Sequence, residues 1–115
     1  MPWDSIPPPS YVPARLRSET LSMGEFSTYS VSDTGQRVII TRLTMSFAGT
    51  YPDFVYVYFN GNEIAAPVCQ GSSLPTLANL ELWIPMEQPD AIEIQAGSSI
   101  TVGYVLSGLY ISPPH

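Results

Sequence analysis

Short segments in which apolar and polar positions alternate recur along most of this chain. The clearest lie at 80–84, 91–95 and 99–106, where every second residue is aliphatic or aromatic. A period of two places the apolar side chains of a β-strand on one face. In the first segment the pattern places the leucines and the isoleucine inward, and Glu81 and Trp83 outward. Each segment therefore predicts a strand with one buried face.

The longest strand signal, 37–47, does not keep a single phase. By period two, Val38 and Ile40 fall on one face. The opposite face holds Ile39, Leu43, Met45 and Phe47. Such a strand is either buried on both sides where it begins or interrupted by a β-bulge, because one extra residue reverses the alternation.

Four further segments complete the predicted strands. They are 26–31, 54–59, 62–67 and 109–111, the last being either a separate strand or the continuation of 99–106 past a bulge. Asn60-Gly61 is a strong hairpin signal, and Asp33 with Thr34 and Gly35 predicts another turn. A short helical turn is expected from Ser18, and a long loop over 68–78.

This arrangement of strands and turns predicts an all-β fold with a single antiparallel β-sandwich. Seven or eight short strands without intervening helices are typical of such sandwiches or of barrels. The sandwich domain is assigned to residues 18–115.

The first 17 residues differ from the rest, since five of them are prolines. Prolines favour extended, polyproline-like backbone, so residues 1–17 are predicted to form an extended N-terminal arm. Trp3, Ile6 and Tyr11 are candidate anchors with which the arm would bind a neighbouring subunit. A disordered tail is the alternative.

Charged side chains are scarce, and this excludes some partners. They make up 12% of the chain, lysine is absent, and the net charge is −6. Nucleic acid is not expected as a partner, because phosphate binding needs clustered Lys or Arg. No membrane span is expected either, since no segment approaches the roughly 20 apolar residues required. The first residues lack the pattern of a signal peptide. A weakly charged surface suits a protein partly covered by neighbours.

Groups for catalysis are equally scarce. The one histidine is the terminal His115, and the one cysteine, Cys69, has no partner for an intrachain disulfide. Neither a nucleophile–base pair nor a zinc site can be assembled from them, and Cys69 is interpreted as a shielded thiol. Glu81 and Glu93 could form a glycosidase-like pair on neighbouring strands, although a solvated face explains both. We expect no enzyme and no cofactor.

Oxygen-bearing side chains near the predicted turns raise the question of calcium. They are Asp53, Asn60, Asn62, Glu63 and Asp90. Their spacing matches no calcium-binding loop, so no metal is expected.

Aromatic residues give the most informative surface signal. In 54–59, Phe54, Tyr56 and Tyr58 share one face, while the other carries two valines and a phenylalanine. Polar residues are expected on the wet face of an antiparallel sheet. Trp83 raises the same question on another strand. A second sheet with loops could cover these residues. They could also form an oligomer interface or a platform for stacking sugar rings.

Three segments carry a resemblance to known proteins. Residues 91–111 look like the closing hairpin of small jelly-roll domains. Residues 35–47 and 57–61 are similar to β-sandwich accessory proteins of tailed-phage virions, which include decoration, head-fibre and tail-associated proteins. The resemblance, which extends over 25–112, implies a jelly-roll-like sandwich in a homo-oligomer, with a trimer favoured. It also implies location in the virion, with the viral capsid or another virion protein as partner.

The function expected from these observations is structural rather than enzymatic. We expect a capsid decoration (cement) protein that binds the shell as a homo-oligomer and stabilises it. The alternative is a carbohydrate- or receptor-binding β-sandwich module that would use Trp83 and the tyrosines.

Overall fold

A computed structural model describes residues 10–31, 35–49, 51–69, 71 and 75–112. These residues form nine β-strands, and none of them lies in a helix that could cross a membrane. The strands are β1 (Ser10–Leu21), β2 (Phe26–Ser30), β3 (Arg37–Gly49), β4 (Asp53–Phe59), β5 (Asn62–Ala65), β6 (Val68–Cys69), β7 (Thr76–Glu87), β8 (Ala91–Ala96) and β9 (Ile100–Ser112).

The strands form two antiparallel sheets that pack face to face. The long sheet has the order β1-β9-β3-β7, and the short sheet has the order β2-β8-β4-β5, with β6 paired to the start of β4. Strands pair inward from the two ends of the chain: β1 with β9, β2 with β8, β3 with β7, and β4 with β5. This nested pairing is that of a jelly roll, so the predicted jelly-roll-like β-sandwich is confirmed.

The core lies between the two sheets and consists of the inward positions of their central strands. The side chains that are almost fully buried include Val38, Ile40, Leu43, Met45, Phe47, Val55, Val57, Ile92, Ile94, Ile100, Val102 and Leu106. The inward positions predicted in 91–95 and 99–106 are therefore correct. In 80–84 the predicted direction is also correct, although Leu80, Leu82 and Ile84 are only partly buried, because β7 is an edge strand.

The two phases of β3 are explained by a bulge. Its register against both neighbouring strands shifts between Ile40 and Arg42. The extra residue reverses the alternation, so Val38 and Ile40 face the core together with Leu43, and Ile39 faces outward. The prediction that grouped Ile39 with the buried face was wrong, and the bulge named as an alternative is present.

The boundary predicted between arm and sandwich at residue 17 is corrected by β1. Residues 10–17 are strand and pair with β9, with Tyr11 opposite Ile111 and Pro13 opposite Leu109. Pro13 is tolerated because β1 is an edge strand, where one side needs no ladder hydrogen bond. A bulge between Arg15 and Arg17 also interrupts the alternation. Trp3 and Ile6 of the predicted arm lie outside the described residues.

Other element boundaries also differ from the predictions. The chain at Ser18 continues β1 rather than forming a helical turn. Strand β6 and the first residues of β7, 76–78, lie within the predicted loop over 68–78, and β9 runs unbroken past Ser107. The hairpin turn is confirmed, since Asn60 and Gly61 both have positive φ, of 50° and 83°. Asp33 and Thr34 lie outside the described part of the chain.

Candidate functional site

The candidate surface residues divide between the two outer faces of the sandwich. Phe54, Tyr56 and Tyr58 project from β4 on the outside of the short sheet, because Val55 and Val57 face the core. Trp83 projects from β7 on the outside of the long sheet. The structure therefore does not bring Trp83 and the β4 aromatic residues together, and each face is a separate candidate site.

The first site, the aromatic face, consists of Phe26, Phe54, Tyr56 and Tyr58. The rings of Phe54 and Tyr56 have centroids 5.9 Å apart, and those of Tyr56 and Tyr58 are 6.4 Å apart. Phe26 lies on the same outer face but two strands away from Tyr56, since both residues pair with Gln95 of β8, which lies between them. Phe26 and Phe54 are 63% and 41% exposed. The outer side of β4 is thus aromatic where a solvated strand carries polar residues, while β8 beside it places Glu93 and Gln95 outward.

Sequence reasoning did not include Phe26 in this face. The signal was present in the alternation of 26–30, because Ser27 is buried and Tyr29 is partly buried against the core. Phe26 therefore had to point outward. Phe26 shares a face with Tyr56 because β2 and β4 both pair with β8, and no local pattern in the sequence reveals this strand order.

The second site, the bulge cleft, lies where irregularities of the long sheet line up. The register shifts of β1 against β9, and of β3 against β9 and β7, occur at one level of the sheet. On β7 this level contains Trp83, whose φ is 53°. Positive φ is unusual for a bulky residue, and the surrounding structure must impose it. The indole ring faces outward, as the alternation along β7 predicts, and is 62% exposed.

The bulge cleft combines an aromatic ring with several polar groups in a shallow depression of about 310 Å³. Its lining residues are Thr41, Arg42, Glu81, Trp83, Ser107 and Leu109. The Arg42 guanidinium donates a hydrogen bond of 3.3 Å to Glu81. The Thr41 hydroxyl donates one of 3.3 Å to the carbonyl of Ser107. Both bonds hold polar side chains beside the indole.

The two carboxylates considered as a glycosidase pair are not brought together. Glu81 lies on β7 in the long sheet, and Glu93 lies on β8 in the short sheet. Both occupy outward positions, so they point away from each other on opposite sides of the sandwich. Their strands are not neighbours, and the hypothesis of a catalytic pair is wrong for these residues. Glu93 instead lines a depression beside Tyr58 on the aromatic face.

The polar residues of the turns stabilise the backbone. Asp53 accepts hydrogen bonds from its neighbour's amide at 2.8 Å and from the Ser99 amide at 2.9 Å. Asn60 donates to Asp90 at 3.0 Å and accepts from the Ala91 amide at 2.9 Å. Within the described ranges, no three His, Cys, Asp or Glu side chains are grouped closely enough to hold a metal ion.

A polar network closes one edge of the core. The Tyr104 hydroxyl lies 2.8 Å from that of Ser27 and 3.3 Å from a carboxylate oxygen of Glu19. Arg17 forms an ion pair with the same carboxylate. The hydrogen bond from Ser27, helped by Arg17, holds the pKa of Glu19 below its ordinary value, and burial raises the pKa of Tyr104. The network lies at the edge between the two sheets and is partly exposed, and this position favours a structural role.

Two other candidate residues lie outside both candidate sites. Cys69 is buried and free, as the sequence predicted for a shielded thiol. Tyr11, proposed as an anchor of the arm, belongs to β1 and is 55% exposed. It remains available on the surface, but on the sheet itself rather than on a separate arm.

Comparisons with known proteins add little about activity. No protein-family model matches the chain, and no curated protein matches it. Among solved structures, the chain is similar to one described as the crystal structure of the Agl-KA catalytic domain, with a TM-score of 0.46 and 16% identity. The match covers 84% of this chain and 21% of that one. A likeness of this size carries no argument about function.

Proposed function

We propose that this chain is a structural protein of a virion, a capsid decoration (cement) protein that binds the shell as a homo-oligomer. The observation that carries the proposal is the aromatic face. Outward aromatic side chains that form a row along one strand, as Phe54, Tyr56 and Tyr58 do, give an apolar surface of the kind that marks sites of association, and Tyr and Phe are enriched in interfaces. A second copy of this chain is the occupant that the proposal assigns to this face.

The jelly-roll fold and the resemblance of three segments support the assignment to a virion. Jelly rolls are common among viral capsid proteins. The segments 35–47, 57–61 and 91–111 resemble accessory proteins of tailed-phage virions, for which a trimer is the usual state. In the proposed mechanism the rigid sandwich associates through its aromatic face. Residues that precede β1, with Trp3 and Ile6 as anchors, attach the oligomer to the shell.

Self-association is tested by light scattering coupled to gel filtration at micromolar concentration. A trimer would have three times the 12.6 kDa mass of one chain. Tyr56→Glu places a charge at the centre of the aromatic face and should dissociate the oligomer. Ser46→Glu, which adds the same charge to an exposed position of the long sheet, should not. A monomeric wild-type chain would contradict the proposal.

Attachment to a virion requires a separate measurement. The chain should cosediment with undecorated capsids of the virus that encodes it and should be detected by mass spectrometry in purified virions. Trp3→Ala should weaken this binding about tenfold or more, because burial of one aromatic side chain contributes about 2–3 kcal/mol. Absence of the chain from purified virions would contradict the virion assignment while leaving self-association intact.

The alternative function, a carbohydrate- or receptor-binding module, is supported by the bulge cleft. Its exposed indole and neighbouring polar groups have the composition of a ligand site, and they lie on the sheet opposite the aromatic face. The two functions are therefore compatible in one protein.

A further inference from the structure

We infer that the bulge cleft is a saccharide-binding site in which a pyranose ring stacks on Trp83. The inference is independent of the virion assignment, since it depends on the outer face of the long sheet alone. Its ligand class follows from the combination of side chains that the cleft presents.

The indole ring of Trp83 provides a stacking surface for a sugar. An aromatic ring that is amphipathic and 62% exposed offers an apolar plane to the C–H face of a sugar. The bulge holds Trp83 at a φ of 53°. This conformation costs free energy, so it persists only where the surrounding structure fixes the backbone. Such strained positions cluster at ligand-binding sites. The ring is therefore displayed by a rigid strand rather than by a mobile loop.

Polar groups around the ring provide partners for the hydroxyls of a sugar. Arg42 and Glu81 form an ion pair at the surface, so a guanidinium donor and a carboxylate acceptor stand side by side. Neighbouring hydroxyls of a pyranose can each act as donor and acceptor, and they fit such a pair. Thr41 and Ser107 supply further hydroxyl groups in the cleft. Clefts with an apolar surface and a few convergent polar groups are typical of small-molecule sites.

The size and charge of the cleft limit the ligands that it can hold. A volume of about 310 Å³ is at the lower end of the range for ligand sites, which fits one sugar ring at the end of a chain better than a long polymer. The cleft contains one cation and one anion that pair with each other. It therefore favours a neutral hexose or N-acetylhexosamine over a strongly charged ligand.

The test uses immobilised oligosaccharides that end in hexose, N-acetylhexosamine or uronate residues. The wild-type chain should bind neutral termini. Binding constants then come from titration with the same oligosaccharide in solution, followed by tryptophan fluorescence in a Trp3→Phe background. The chain has two tryptophans, so Trp83 is then the sole indole. Its emission should shift on saturation. This signal reports each cleft separately and does not depend on subunit number.

Three variants locate the site. Trp83→Asn removes the ring. Because Asn accommodates positive φ, the fold should be preserved. Binding to the immobilised oligosaccharides should fall at least tenfold. Glu81→Gln should also weaken binding, with Trp83 still present to report it. Tyr51→Thr, at an exposed aromatic residue outside the cleft and outside the aromatic face, should leave the affinity unchanged. Absence of wild-type binding, full binding by Trp83→Asn, or loss confined to Tyr51→Thr would each overturn the inference.

Discussion

The hydroxyl of Tyr104 in β9 lies 2.8 Å from the hydroxyl of Ser27 in β2, so a buried hydrogen bond joins the two sheets. The residues are 77 positions apart in the chain. The Tyr104 side chain spans the space between the sheets and reaches Glu19 at the edge of the core. This bond fixes how the sheets lie against each other at that edge.

A double-mutant cycle should measure this bond. Tyr104→Phe and Ser27→Ala should each lower the free energy of unfolding by about 1–2 kcal/mol, because each leaves a buried hydroxyl with one partner fewer. The double variant should lose less than the sum of the two, with a coupling of about 1 kcal/mol. Urea unfolding of the four proteins provides the values. Strict additivity would show that the bond contributes nothing.

Acid should destabilise the protein partly through Glu19. Its pKa in the folded chain is below the ordinary value of 4.5, so the folded state binds this proton less well than the unfolded state. The resulting stability is present above pH 4.5 and is lost as the pH falls through the folded-state pKa. Melting temperatures of wild type and Glu19→Gln should therefore differ at neutral pH and converge below pH 4.5.

An exposed carboxylate provides the control for that experiment. Glu63→Gln changes the same charge at an exposed position of β5 and should give a melting curve that follows the wild type at every pH. A difference between wild type and Glu19→Gln that persists unchanged down to pH 3 would contradict the linkage.

Truncation of the N-terminus should distinguish the contribution of residues 1–9 to stability from that of strand β1. A chain starting at Ser10 retains all of β1 and should unfold at nearly the wild-type urea concentration. A chain starting at Ser18 loses the part of β1 that pairs with β9 from Leu106 onward and also Leu16, which packs on the core. Its stability should fall by at least about 3 kcal/mol, from lost burial and ladder hydrogen bonds. Equal midpoints would mean that residues 10–17 contribute nothing to folding.

Two glycines of β9 provide a matched pair for the packing of the long sheet. A Cβ at Gly108 would overlap the carbonyl oxygen of Ile39 and lie 2.8 Å from a methyl of Leu16. Gly108→Ala should therefore cost about 3 kcal/mol, since the backbone of β3 would have to move. At Gly103 the nearest atoms are 3.9 Å away. Thermal unfolding of Gly103→Ala should stay within about 1 kcal/mol of wild type. Equal losses at both positions would contradict close packing at Gly108.

The buried faces of β8 and β9 followed from period-two alternation. Ile92, Ile94, Val102 and Leu106 are all inward as predicted, because the direction of successive side chains is a local property of extended backbone. The Asn60-Gly61 turn followed for the same reason, since positive φ at both residues is a local preference. Burial of Cys69 was predicted from the usual environment of an unpaired cysteine, and the outward direction of Trp83 from the alternation in 80–84.

Pairing partners could not be derived in this way. Nothing near Pro13 indicates that it lies opposite Leu109, which is far away along the chain. Pro13 and the bulge at Leu16 obscure the strand signal of β1 in the sequence. Pairing with β9 nevertheless holds these residues in the sheet. Similarly, the sequence allows a bulge at Thr41 only as one of two alternatives, and the pairing of β3 with β7 and β9 decides between them.

The placement of the candidate sites depended on the same long-range pairing. Local alternation turns Tyr56, Trp83, Glu81 and Glu93 outward, but it does not tell which sheet each strand joins. Sheet membership is set by hydrogen bonding between strands that are distant in sequence and by burial of both inner faces in one core. That packing separates Tyr56 from Trp83 and Glu93 from Glu81. It also places Phe26 on the same outer face as Tyr56, and Ser107 in the same cleft as Trp83.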